Sequence, residues 1–154
     1  MGFTGCGTVH TEIVIPASPA DVWSVLADAK GYEEWNPVLV PIEGELKQGE
    51  TVKYRMTDAE GKSSEVASKV VEMVDQKRLN QFGGMRGILT FDHTWSLEPV
   101  DDGTKVTQHE EYRGIGVWFW NYDWVEPAYS RANEALKKRV LEIVGQREPE
   151  RDSN

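Results

Sequence analysis

Two residues suited to proton chemistry, Glu110 and His93, sit where alternation turns them to the same side as large apolar side chains. In Ile88–Glu98, Phe91, His93, Trp95 and Leu97 recur at every second position, against Thr90, Asp92, Thr94, Ser96 and Glu98. In Thr104–Arg113, Val106, Gln108, Glu110 and Tyr112 oppose Lys105, Thr107, His109, Glu111 and Arg113. A period of two is that of a strand with one face on the interior, so the first set of each segment is expected to face inward. A carboxyl group and an imidazole on neighbouring strands, held away from water, can pass protons to and from a bound molecule. The same groups can equally be satisfied structurally: Glu110 by an arginine, histidine, tyrosine or water, and His93 by a tyrosine or carboxylate. Glu110 and His93 are therefore candidates for catalysis, and no catalytic residue is assigned. His10 and His109 fall on the outward parity and are expected to be solvated.

The inward set is mixed. In Thr51–Thr57, Val52, Tyr54 and Met56 oppose Lys53 and Arg55. The interior thus receives His93, Gln108, Glu110 and the hydroxyls of Tyr54 and Tyr112 among Met56, Phe91 and Trp95. A buried polar group without a partner costs about 1–3 kcal/mol. A solid core would seldom take so many, so the pattern predicts a space holding water or a ligand with a polar end. A later helical stripe agrees: Ala128, Ala132 and Ala135 are small, whereas Leu136, Val140 and Ile143 further on are large enough to close one end. Ala128 and Ala132 are expected on the cavity wall. Trp35, before Asn36-Pro37, is expected at a structural corner and in contact with ligand. In the aromatic run Val117–Trp124, Trp118 and Tyr122 would share one helical face, and Trp120 and Trp124 another. The functional reading is a lid, with Trp118 touching ligand; plain packing and a subunit contact are the alternatives. Arg78–Phe82 does not alternate, so Gln81 and Phe82 are left unoriented.

These positions need a scaffold. Thr8–Ile15 alternates as a strand, and Ser18-Pro19-Ala20-Asp21 opens a short helix with a cap, a proline in the first turn and an acid at the positive end. Tyr32–Trp35 adds a second short turn. Strands are predicted at Val38–Leu46, Thr51–Thr57, Lys62–Val74, Arg78–Phe82, Ile88–Glu98 and Thr104–Arg113, with Gly83–Gly87 as a flexible loop and Asp101-Asp102-Gly103 as a tight turn. Helical spacing then runs from near Val117 or Pro127 to about Val144, where Gly145 is expected to stop it. The fold class is α+β: a seven-stranded curved antiparallel sheet wrapped around a long C-terminal helix, with two short helices between the first and second strands. Residues 1–7 are expected to be a flexible N-terminus, 8–145 one ligand-binding domain, and 146–154 a disordered charged tail.

Composition narrows the function classes. The chain has 154 residues, six of them Trp, and a formal net charge of −9. That charge disfavours nucleic acid and anionic membrane surfaces. No window reaches the ~20 apolar residues of a membrane span. The opening residues lack a signal-peptide pattern, and the single cysteine suits a reducing, cytoplasmic setting. Three scattered histidines and one cysteine give no metal pattern. No cofactor and no metal are expected, and the chain is expected to be a monomer or weak homodimer.

The order of elements, with Ile13–Trp23, Tyr32–Pro37, Trp95–Pro99, Gly103–Thr107 and Glu110–Gly114, resembles the START / Bet v 1-like helix-grip superfamily, especially its "polyketide cyclase/dehydrase and lipid transport" branch. The resemblance covers about residues 8 to 145. It implies the helix-grip fold and an internal pocket for a lipid, polyketide or aromatic compound. Plant hormone receptors of this superfamily close a loop over the ligand where Gly83–Gly87 stands, which implies an entrance loop here. Their other closing loop would fall at Asp58–Gly61, which is acidic and lacks the receptor pattern. Because this fold hosts many functions, three readings stay open: a carrier of a small, mostly apolar ligand; a cyclase or dehydratase-like enzyme using a buried acid–base residue; and a co-chaperone-like interaction module.

Overall fold

The structure is a computed structural model that describes the backbone of residues 4–151 and side chains from Thr4 to Arg147. Strand β1 (Cys6–Ile15) is followed by helix α1 (Pro19–Leu26), the one-turn helix α2 (Tyr32–Trp35), strands β2 (Leu39–Glu43), β3 (Thr51–Thr57), β4 (Ser63–Val74), β5 (Arg78–Met85), β6 (Leu89–Val100) and β7 (Gly103–Arg113), and helix α3 (Val125–Arg151). The α1 start is as read: Ser18 Oγ accepts from the Asp21 N–H at 3.2 Å, with Pro19 in the first turn. After α2, Asn36 Oδ1 accepts from the N–H groups of Val38 and Leu39 at 2.9 and 3.0 Å and turns the chain into β2.

The strands form one antiparallel sheet in the order β1-β7-β6-β5-β4-β3-β2. The first strand therefore lies beside the last, and α1 and α2 carry the chain to the opposite edge. Pairing sets the interior: His93 faces Glu110 across β6 and β7, and Gln81 faces His93 across β5 and β6. The expected parity holds on both central strands, where Trp95, Leu97, Val106, Gln108, Glu110 and Tyr112 are all buried. The sheet wraps α3, whose Ala132, Leu136 and Val140 are buried against it. This is the seven-stranded helix-grip architecture predicted. No helix among the described residues is long and apolar enough to cross a membrane.

Several boundaries differ from expectation. Cys6 and Gly7 belong to β1 rather than to a flexible segment; Met1–Phe3 lie outside the described residues. β2 ends at Glu43, before Gly44, which takes a φ of +92°. Residues 117–124 are not α-helical. A 3-10 turn at Ile115–Trp118 precedes an irregular stretch, and α3 starts only at Val125, which puts Pro127 in its first turn where a missing N–H is harmless. Gly145 does not end α3, because glycine weakens a helix without forbidding it. The next turn is tied down by Arg147, whose Nη2 donates to Asp21 Oδ1 at 2.6 Å. Helix thus reaches Arg151, and Asp152–Asn154 of the expected tail lie outside the described residues.

The predicted flexible loop Gly83–Gly87 is mostly strand. Gly83 and Gly84 pair with Phe91 and Thr90, leaving only a tight turn around Arg86–Ile88. Gly83 is there for close approach: a Cβ would lie 2.3 Å from Phe91 Cζ and 2.4 Å from the Ala67 carbonyl oxygen. Backbone on one side and a cavity-wall ring on the other cannot both yield. Gly83→Ala is expected to lose about 1–3 kcal/mol of stability, the usual range for overpacking. Urea denaturation checks this; an unchanged midpoint would show that Phe91 can swing aside.

Candidate functional site

Between the concave face of the sheet and the first turns of α3 lies a cavity of about 220 Å³. Nine sequence-predicted residues line it: Tyr54 and Met56 from β3, Phe91, His93 and Trp95 from β6, Gln108, Glu110 and Tyr112 from β7, and Ala132 from α3. Three do not. Trp35 is buried one turn from Tyr32, its ring 4.8 Å from the Tyr32 ring, so Tyr32 and Asn36 reach the wall in its place. Its Nε1 is the one sealed side-chain polar atom without a partner among the described residues. Trp118 is 59% exposed, because the 3-10 turn directs it outward over Gly5. Ala128 is fully buried in a cluster with Val38 and Ala132, which takes up its methyl group. The aromatic run still contributes, since Trp120 and Trp124 line the cavity while Trp118 and Phe119 face outward.

The polar groups form three sets. Glu110 Oε2 accepts from the Tyr112 hydroxyl at 2.7 Å and from the Tyr129 hydroxyl of α3. His93 Nε2 meets Gln108 Oε1 at 3.0 Å; Gln108 Nε2 donates to the Tyr129 carbonyl at 3.1 Å and to Asn133 Oδ1 at 2.8 Å; Asn133 Nδ2 donates to Thr11 Oγ1 at 3.0 Å. His93 and Glu110 are thus register neighbours, but no hydrogen bond joins them, and the two candidates are held by separate partners. Further along the wall, the Gln81 amide oxygen accepts from the Tyr54 hydroxyl at 2.6 Å and from Ser68 Oγ at 2.9 Å.

Tyr129, Asn133 and Gln81 were not anticipated. Tyr129 stands three residues before Ala132 and seven before Leu136, on the stripe already read as inward, so helical spacing held that signal. Asn133 is four residues further on. Gln81 gave none: the inward side of β5 reads Leu79, Gln81, Gly83, with one apolar residue in three, while Phe82 faces outward under Arg86. His10 is exposed and His109 half-buried, both on the outward side of the sheet.

Among the described residues, no lysine or arginine lines the cavity and Glu110 is its only carboxylate. No group of three or more histidines, cysteines and acids that could hold a metal occurs among the described residues. Burial raises the Tyr129 and Tyr112 hydroxyls well above the usual tyrosine range, and the Glu110 carboxylate raises them further; burial raises Tyr32 and Tyr54 as well. All four are therefore neutral donors over the working range. A tyrosine raised in the folded state stabilises the fold fully below its unfolded value of about 10 and loses that contribution as the pH climbs toward the folded value. Tyrosinate absorbance from these four residues is expected to appear together with loss of circular dichroism, above about pH 10. Their titration in a still-folded chain would contradict the burial.

A sequence profile of the family described as "Polyketide cyclase / dehydrase and lipid transport" matches residues 7–141. No curated protein matches significantly. Protein CV1439 from Chromobacterium violaceum superimposes with a TM-score of 0.71 at 17% identity, over 86% of this chain and 96% of that one. StfQ, a di-domain ARO/CYC from the steffimycin biosynthetic pathway, gives 0.74 at 10% identity, over 91% of this chain and 52% of its own. Ara h 8.0201 gives 0.65 at 20% identity, over 90% and 99%. At these identities the solved structures establish the fold, and the profile match, spanning most of the sequence, establishes that this chain belongs to the polyketide cyclase / dehydrase and lipid transport family.

Proposed function

We propose that this protein binds a compact, mostly apolar molecule of one or two rings inside the cavity, as a carrier or binding protein. The observation that carries this reading is the cavity itself: a space of about 220 Å³ walled by aromatic rings, with a few polar groups at fixed positions. That is the usual make-up of a small-molecule site. Its size bounds the occupant. An apolar protein cavity of ~150 Å³ accepts benzene, so this one suits a somewhat larger ring system better than a long acyl chain.

Native mass spectrometry of freshly purified protein tests the proposal. A co-purifying small molecule, or uptake of one- and two-ring aromatics from a panel, is expected. A chain that stays empty and takes up none of them would defeat it.

One observation favours a second, enzymatic reading. Two tyrosine hydroxyls hold one oxygen of Glu110, while its Oε1 has no hydrogen-bond partner among the described residues. Such an oxygen could act as the acid or base in a cyclisation or dehydration. Should a turnover be found, Glu110→Gln is expected to abolish it while retaining binding; full activity in that variant would remove Glu110 from the chemistry. An interaction module would suit a filled interior, and the cavity argues against it.

A further inference from the structure

We infer that the cavity selects a neutral ligand bearing a hydrogen-bond donor, such as a phenol or alcohol, and rejects a carboxylate. This deepens the binding reading above and rests on it. The argument starts at Gln108. The Tyr129 carbonyl oxygen can only accept, so the Gln108 side-chain atom 3.1 Å from it must be the amide nitrogen. The alternative orientation would set two oxygens against each other there. The hydrogen-bond network therefore assigns the Gln108 amide, with Oε1 directed at His93 Nε2, 3.0 Å away.

An amide oxygen has no proton to give. Neutral His93 must then carry its hydrogen on Nε2, which leaves an unshared pair on Nδ1. Gln108 acts as a positioning residue, itself anchored through Asn133 to Thr11 on β1.

His93 Nδ1 and Glu110 Oε1 have no hydrogen-bond partner among the described residues. Neither is sealed, since Trp35 Nε1 is the one fully buried side-chain polar atom in that condition. Both residues line the cavity and face each other across β6 and β7, so these two acceptors open onto the same space. Acceptors call for donors. A ligand carboxylate here would meet a second carboxylate and a lone pair; the amide nitrogens of Gln81 and Asn36, which also line the cavity without a hydrogen-bond partner among the described residues, are neutral, and no described lysine or arginine lines the wall to offset its lost hydration.

Two measurements at about pH 8 test the inference separately from the binding reading. A long-range proton–nitrogen NMR spectrum, with His93 identified by loss of its signals in His93→Asn, is expected to show a pyridine-like Nδ1 and a pyrrole-like Nε2. In Gln108→Leu that fixed preference is expected to disappear. Calorimetry with naphthalene, naphthol and naphthoate is expected to show naphthol binding about tenfold or more tighter than naphthalene, with no measurable naphthoate binding. A pyrrole-like Nδ1 in the unsubstituted protein, or naphthol binding no tighter than either analogue, overturns the donor rule and leaves cavity binding intact. Failure of all three compounds to bind removes the cavity reading, and the inference falls with it.

Discussion

Replacing Ala132 by phenylalanine is expected to weaken binding of a one- or two-ring ligand by 100-fold or more, about 2.7 kcal/mol, without destabilising the fold. Ala132 is 2% exposed and shares a small cluster with Val38 and Ala128, and it also borders the cavity. A cavity of about 150 Å³ holds benzene, so a phenyl group would take up much of the 220 Å³ present. The ring would occupy the ligand's place and meet an aromatic wall in doing so. Filling apolar space in a natural protein is commonly worth 0.5–2 kcal/mol, so the melting temperature is expected to hold or rise. Calorimetric titration with naphthalene and thermal denaturation of the same samples decide the matter. Stability lower by about 1–3 kcal/mol, the signature of overpacking, would mean that the cavity is closed in solution.

What made Ala132 legible was its place among small residues on a stripe that turns large further on, and the same contrast of volume and period exposed most of the site. Alternation on β6 and β7 placed His93, Trp95, Gln108, Glu110 and Tyr112 on one wall because each strand has one wet and one dry face. The reading broke down where that contrast fades. On β5 the inward positions hold Gln81 and Gly83, and only their partners, Tyr54, Ser68 and Phe91, explain them. Those partners lie on other strands, so no local pattern announces them. Trp118 was misplaced because helical spacing was assumed where Gly114, at a φ of +129°, and Gly116 instead support a 3-10 turn. Gly83–Gly87 looked flexible because glycine serves both mobility and close approach, and only the position of Phe91 separates the two.

One turn beyond Ala132 the same helix face has the opposite task, and Leu136→Ala is expected to be the most damaging of these substitutions to stability. Leu136 is completely buried and belongs to the main core cluster with Trp23, Leu26, Leu97, Val106 and Val140, which also takes in the cavity-wall residues Tyr54 and Trp95. Truncation there removes transfer free energy and leaves a void whose lining cannot collapse, which for leucine costs about 2–5 kcal/mol. Single domains have only about 5–15 kcal/mol in total. For a chain of this length the melting temperature is expected to fall by roughly 4–20 °C. Naphthalene affinity of the molecules that remain folded is expected to change little, because Leu136 is not on the cavity wall. Ala132→Phe and Leu136→Ala should therefore move binding and stability in a crossed pattern. A cavity that ran the length of α3 would instead give Leu136→Ala a small stability loss and an enlarged site, and that result would refute the division of the helix into a ligand-facing and a load-carrying half.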